Sequence, residues 1–445
     1  MQKQRSRPFW SRFRGIALAG ILASSSPLLL PQPGIAQLLL PEVRNAFLSS
    51  PLDDEPLDPL LPDPPIRRPL SPLEQYQLEQ DLDDLALVAE AIASGDPLPE
   101  DSPIDLEPGE ALPDPNAIWM REVRLRRLLG VEKELQAIRR VAQWMRDRTA
   151  TRELQLLAAR LREIQQDLDP TSAADRTRLV ELAEIYAILG EVEDAAIIRR
   201  ALANQALAAG DKEEFQNQLE ILANLQAAWF YFDEAAATYG ELLELAQLEA
   251  GRGNEIQYLQ AQIYNLEQAQ EFSAALAAQQ QLLAIYSGAE LFWPQVPALQ
   301  HDMAENYRIQ GNLSEASRYF RSAYTNALAQ LQLNIAADSI RSLAGIYSSL
   351  DNQEDVRYLY EQLILVERQA NNAFGLMETF NALGQLYEQI GQPEQALQAY
   401  QEALIMARSL DYREDYFEGQ IARLAGEVSP SGSPSNFEER SQTTK

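Results

Sequence analysis

The stretch Met377-Glu-Thr-Phe-Asn-Ala-Leu-Gly-Gln-Leu-Tyr-Glu-Gln-Ile-Gly391, followed by Gln392-Pro-Glu-Gln-Ala-Leu-Gln-Ala-Tyr-Gln-Glu-Ala-Leu404, decides the fold. Phe380, Leu383, Tyr387 and Ile390 recur at spacings of three and four, so they share one helix face. Ala396, Tyr400, Ala403 and Leu404 do the same in the second half. Gly391 stops the first helix, where a residue of positive φ is easiest. Pro393 opens the second, where its missing N–H does no harm. Gly384 and Ala396 fall where the two helices cross, and a larger side chain there would hold the backbones apart. The stretch predicts a helix pair whose small and large residues interlock.

The pattern repeats along the chain. Tyr186, Gln226, Tyr264, Tyr307, Tyr347 and Tyr387 stand 40, 38, 43, 40 and 40 residues apart. Three residues before each is a small one: Ala183, Ala223, Ala261, Ala304, Ala344 and Gly384. Twelve after that follow Ala195, Ala235, Ala316, Val356 and Ala396, with a slip of one to Ala274 in the third unit. Gly190 and Gly311 hold the turn taken by Gly391, and Asp351 holds it in the unit of Tyr347. A fixed period of this length means stacked supersecondary units, none able to bury its apolar side alone. The expected class is all-α: an α-solenoid, a superhelix of antiparallel helix pairs, preceded by a disordered Pro-rich acidic segment.

The motif Leu383-Gly384…Tyr387…Gly391…Ala396…Tyr400…Ala403 resembles the tetratricopeptide repeat family. Weaker copies are Met303-Ala304…Tyr307…Gly311…Ala316…Phe320…Ala323 and Leu182-Ala183…Tyr186…Gly190…Ala195. The resemblance covers residues 171 to 412. The unit here is longer than the roughly 34 residues usual in that family, and the proline that often closes a family repeat is missing.

Residues 1–36 read as a signal peptide. Lys3, Arg5, Arg7, Arg12 and Arg14 form a basic start, Gly15 to Leu30 is largely apolar, and Gly34-Ile35-Ala36 offers small residues for cleavage. An uncleaved anchor is the alternative, although the apolar run is short beside the roughly 20 residues of a spanning helix. A periplasmic or secreted bacterial protein is expected. The chain has no cysteine, so thiol nucleophiles, disulfides and soft metal sites are absent. It carries a net charge of −29, and its first 36 residues carry +5, leaving −34 beyond them. Such a surface repels nucleic acid and anionic lipid.

Residues 37–118 hold 15 of the 25 prolines and 19 acidic against three basic residues. They read as a mobile acidic linker. One helix is expected over 72–94, where Ser71, Pro72 and Glu74 form a capping signature and Leu78, Leu82, Leu85 and Ile92 give an apolar face. Residues 119–168 are the reverse, with 12 basic and seven acidic residues around two apolar helical faces. Three readings of this helix pair stand side by side: the N-terminal cap of the solenoid, a membrane-surface helix, and a basic patch onto which the acidic linker folds back. Residues 413–428 fit a C-terminal capping helix, and 429–445 a disordered tail.

Catalytic signals are weak. His301 is the only histidine, and no phosphate loop, nucleophile elbow or calcium loop is present. No cofactor or metal is expected, and the chain is expected not to be an enzyme. In the family it resembles, the first helix of each pair lines a concave groove. By register, that implies Asn224, Gln262, Asn265, His301, Glu305, Arg308, Arg341, Asn381 and Gln385 as a partner-binding strip, flanked by Glu184, Glu220, Tyr258, Asp338, Ser348 and Glu388. Amides both donate and accept, which suits an extended protein segment. His301 beside Glu305 and Arg308 is the most distinctive cluster, placed to sense pH or contact a ligand. The leading expectation is a non-enzymatic scaffold for a protein partner, an assembly factor of the bacterial envelope. The alternatives are an acidic carrier of Ca²⁺ or Mn²⁺, using Asp81, Asp83 and Asp84 or Asp53, Asp54 and Glu55, and an accessory subunit of an enzyme.

Overall fold

The computed structural model describes residues 40–54, 58–61, 68–99, 111–169, 171–249 and 251–428. The signal peptide expected at 1–36 and the tail expected at 429–445 lie outside them. The described residues are helical throughout, with no strand among them, and fall into two compact units. One unit is built from residues up to 169 with 177–191, the other from 170–176 with 192 onward.

The first unit contains α1 (Pro41–Leu48), α2 (Pro72–Ser94), α3 (Pro115–Arg126), α4 (Val131–Asp147), α5 (Thr151–Gln166) and most of α6 (Ala173–Leu189). The helix expected at 72–94 forms as α2. Ser71 Oγ accepts from the Glu74 N–H at 3.4 Å, and Glu74 accepts in return from the Ser71 N–H at 2.6 Å. Arg68 grips Glu74 with two further bonds of 2.9 Å. These bonds to Arg68 and Ser71 hold the Glu74 carboxyl down at about 2. Gly95, at φ 77°, ends the helix.

The described part of 37–118 is not the mobile linker that its composition suggested. Leu78, Leu82, Leu85 and Val88 of α2 are buried, each contributing roughly 1.5–3 kcal/mol of apolar burial. Carboxylates of the segment pair with the basic helices: Asp58 with Arg121, Asp54 with Arg124, Asp83 with Arg126, Glu79 with Lys133 and Glu90 with Arg140. Burial drives α2 inward and charge complementarity holds the proline-rich flanks. These ion pairs are the contacts that the fold-back reading of residues 119–168 describes. Those residues form three helices rather than a pair, because a 3₁₀ turn at Arg127–Leu129 and Gly130 at φ 105° interrupt the first. Two carboxylates, Glu122 and Glu134, are fully buried among arginines. Burial pushes the Glu122 carboxyl up despite Arg140 and Arg126 beside it.

The second unit is a repeat array. It runs through α7 (Val192–Ala209), α8 (Lys212–Ala228), α9 (Phe232–Leu248), α10 (Arg252–Gln268), α11 (Phe272–Ser287) and α12 (Val296–Ile309). It continues through α13 (Leu313–Ala329), α14 (Leu333–Ser349), α15 (Gln353–Gln369), α16 (Ala373–Gln389), α17 (Pro393–Leu410) and α18 (Glu414–Val428). Its period is written in the backbone, and the turn at Gly190 of the first unit follows the same pattern. Gly190, Gly210, Phe230, Gln270, Gly311, Leu331, Asp351, Asn371, Gly391 and Asp411 all have positive φ. After each, the next N–H bonds back five residues: Glu191 to Tyr186 O, Tyr231 to Gln226 O, Glu271 to Leu266 O, Asn312 to Tyr307 O, Asn352 to Tyr347 O and Gln392 to Tyr387 O, at 2.8 to 3.0 Å. This is the Schellman closure of a helix C-terminus. At four turns the following side chain then caps the next helix: Asp211, Asn312, Asn352 and Asn372 accept from the N–H three residues on.

This bonding corrects the third repeat. Its counterpart of Tyr307 and Tyr387 is Leu266, not Tyr264, and the small-residue positions are Ile263 and Ala275, not Ala261 and Ala274. Ala275 is fully buried while Ala274 is exposed. The first-to-second-helix turns then fall at 190, 230, 270, 311, 351 and 391, an interval of 40 with one step of 41. The extra residue sits where a 3₁₀ segment, Glu290–Gln295, replaces the usual tight turn. At the helix crossings Ala223 and Ala235, Ala304 and Ala316, and Ala344 and Val356 are buried in matched pairs. The closing helix α18 buries Phe417 and Leu424 against a cluster containing Met377, Phe380 and Tyr400.

Candidate partner-binding face

Counting back from the left-handed residue of each turn puts the first helices in a common register. Ten residues back stand Glu220, Gln260, His301, Arg341 and Asn381; six back stand Asn224, Tyr264, Glu305, Gly345 and Gln385. Polar side chains join one first helix to the next at these levels. His301 Nδ1 lies 3.1 Å from Ser339 Oγ, and Ser342 donates to Glu305 at 2.9 Å. Gln216 donates to Tyr258 Oη at 2.9 Å, and Tyr258 donates to Glu220. At the far end Arg413 bonds Glu378 at 2.7 Å, Tyr416 donates to Asn381 at 3.2 Å, and Arg423 bonds Glu388 at 2.5 Å. The result is a polar strip along consecutive first helices of the second unit.

The residues expected on the strip do not all present themselves. Asn224 and Gln385 are exposed; Asn224 accepts from Tyr239 Oη at 2.9 Å. Arg308 and Arg341 are exposed but already paired, Arg308 with Glu305 at 2.7 Å and Arg341 with Asp338 at 2.6 Å and with the buried Glu367. His301 is half-buried, edge-on to Phe320 with ring centroids 5.2 Å apart. Its burial lowers the imidazole pKa, against the raising effect of Glu305 and Asp338. Gln262 donates to Ala236 O at 3.3 Å, toward α9, the second helix of the preceding pair. Asn381 is buried under Tyr416. Asn265 is 2 % exposed: its amide donates to Ala261 O, and its Oδ1 is buried without a partner. Its placement on the face followed from the register error in the third repeat, since five residues before the turn is a core level, held by Ile346 and Leu386 elsewhere.

One cluster escaped the sequence reading, and of a second only Tyr239 did. Asn306 donates to Glu267 at 2.8 Å and to Gln279 at 3.1 Å, and Gln279 donates to Glu267 at 3.0 Å. Burial pushes the Glu267 carboxyl up, against the Asn306 bond. The signal was present, because Asn306 takes a core level once the turn is counted correctly. The second cluster is the ring pair Tyr239 and Tyr258, 6.4 Å apart, beside Glu220 and Asn224. Burial, with Glu220 nearby, pushes the Tyr239 hydroxyl up to about 12. Among the described residues no group of three or more histidines, cysteines or carboxylates could hold a metal ion. Asp54 and Asp83, expected ligands in the carrier reading, are engaged by arginine, and Glu55 lies outside the described residues.

Paired helices of about 17 residues, closed by a left-handed turn and crossing on small residues, recur through the second unit. The array is a tetratricopeptide-type repeat fold. Solved structures of similar fold include BtubC from P. vanneervenii, at 17% identity and TM-score 0.34, covering 56% of this chain and 99% of that one. Another is a kinesin light chain protein of Podosopora anserina with nearly identical TPR-like repeats, at 16% identity and TM-score 0.32, covering 47% and 94%. A third is a signal transduction ATPase with numerous domains and a tetratricopeptide repeat sensor, from Pyrococcus horikoshii, at 13% identity and TM-score 0.39, covering 82% and 63%. No family model and no curated protein matches the chain.

Proposed function

We propose that this protein is a non-enzymatic scaffold that seats an extended segment of a partner protein along the polar strip of its first helices. The single observation behind this is the strip itself. Consecutive repeats place a polar side chain at the ten-back level, and all but the one with Gly345 place another at the six-back level, with Asn224 and Gln385 open to a ligand. A peptide backbone has donors and acceptors at regular intervals, and such a ladder of side chains can meet them. The chemistry offered is recognition. We further read residues 1–36 as an export signal, so that the scaffold works in the bacterial envelope, holding a partner during assembly.

The test is a photo-crosslinking residue placed at Asn224 or at Gln385 in living cells, with Arg357 on a second helix as control. Capture of one and the same protein from both strip positions, and not from the control, is expected. Asn224→Ala and Gln385→Ala should each weaken binding of that protein by about fivefold, the worth of one hydrogen bond near 1 kcal/mol. Capture from the control alone, or no effect of either substitution on affinity, would overturn the reading.

A further inference from the structure

The first unit holds a cluster of three arginines at and just after the end of α3. On α3, Arg121 grips Asp58 with two bonds of 2.6 Å. Arg124 pairs with Asp54 at 2.7 Å and donates to Ser49 Oγ at 2.9 Å. Arg127 donates to Phe47 O at 2.7 Å, and its guanidinium lies 4.7 Å above the Phe47 ring. The arginines therefore meet carboxylates, main-chain carbonyls and an aromatic ring, carried on α1 and on the 3₁₀ turn Pro51–Asp53 that follows it. Bidentate arginine pairs give such contacts geometric as well as electrostatic definition.

The chain's own segment fills the cleft incompletely. Arg124 Nε and Arg127 Nη2 are buried with no hydrogen-bond partner. A buried donor on a charged group left without an acceptor carries a desolvation cost that nothing there repays. A cavity of about 270 Å³ opens beside Arg124, lined by Ala46, Pro51, Met120 and Leu125 together with Arg121, Asp54 and Asp58. There is both room and unmet hydrogen-bonding capacity.

We propose that this arginine cleft is a receptor for an acidic, proline-containing segment of a partner protein, and that residues 41–54, with Asp58, occupy it in the resting chain as an exchangeable stand-in. The resident segment holds its place through covalent linkage, which amounts to an effective concentration on the order of millimolar. A competitor that supplies acceptors for Arg124 Nε and Arg127 Nη2 displaces it.

The probe is a fluorescein-labelled synthetic peptide of residues 41–54, which carries Phe47, Ser49, Pro51 and Asp54. It is titrated into the full chain and into the full-length Asp54→Asn/Asp58→Asn variant, whose isosteric changes loosen the resident segment. Circular dichroism confirms equal helicity; should the double variant lose helix, Asp58→Asn alone serves in its place. The peptide is expected to bind the loosened chain at least about tenfold tighter than the wild type. Binding should be lost on adding Arg124→Gln, and should weaken as NaCl is raised from about 50 to 500 mM. Equal binding to both chains, binding to neither, or binding that survives Arg124→Gln overturns the proposal.

Discussion

The ring of Tyr400 lies directly over Gly384: a Cβ built at Gly384 would stand 2.8 Å from Tyr400 Cε1. The phenol is held in that place, because Tyr400 Oη donates to Glu388 at 2.6 Å, a residue four on from Gly384 along the same helix. The crossing of α16 and α17 thus combines a missing side chain with a pinned aromatic ring.

Gly384→Ala should therefore destabilise the array, although alanine normally favours a helix interior over glycine by about 1 kcal/mol. Overpacking of about 1–3 kcal/mol outweighs that gain. Thermal unfolding should show a lowered Tm for Gly384→Ala. The same substitution in a Tyr400→Ala background should cost nothing further, and an additive cycle would show that the ring is not the cause.

At Leu331 the opposite sign is expected. This residue takes φ 57° at a helix C-terminus and is 71% exposed. A left-handed conformation costs a non-glycine residue about 1–2 kcal/mol, and little apolar contact is lost on removing the side chain. Leu331→Gly should raise stability by about 1 kcal/mol in urea unfolding, even after the entropy cost of glycine. Leu350→Gly is the control: its φ is −94°, so it has no such strain to release and should not gain.

The two buried ends of the pH scale oppose each other. The Glu267 carboxyl is pushed up by burial, so the folded state holds its proton more tightly than the unfolded chain does. Its stabilising effect is full at low pH and falls away as pH rises past the ordinary value of 4.5. Glu267→Gln keeps an acceptor for Asn306 and Gln279 and removes the buried charge. It should raise the Tm at pH 8 more than at pH 4.

Asp58 behaves in reverse. Burial raises its carboxyl, but Arg121, the Leu60 N–H and Arg124 together outweigh burial and hold it below its ordinary 3.8. Its contribution is present above that value and is lost as pH falls through the lowered folded one. Asp58→Asn should cost about 1.5 kcal/mol at pH 7 and little near pH 2. Added salt should narrow the difference between variant and wild type.

Much of this protein is settled by local sequence alone. The 40-residue period, the turn at Gly391, the proline opening at Pro393 and the capping box at Ser71 depend on residues within one or two helical turns of each other. Their backbone preferences act without help from the rest of the chain. The tertiary structure alone decided the register of the third repeat. Tyr264 imitates the repeat tyrosine two residues early, and only the left-handed Gln270 with its bond from Glu271 to Leu266 O shows which side of the helix faces inward. It also decided the fate of the acidic segment and the availability of the strip. Asp58 and Arg121 lie 63 residues apart, as His301 and Ser339 lie 38 apart. Composition states that such charges attract; which carboxylate meets which arginine, and which amide is left open, depends on packing that brings distant helices to within a few ångströms.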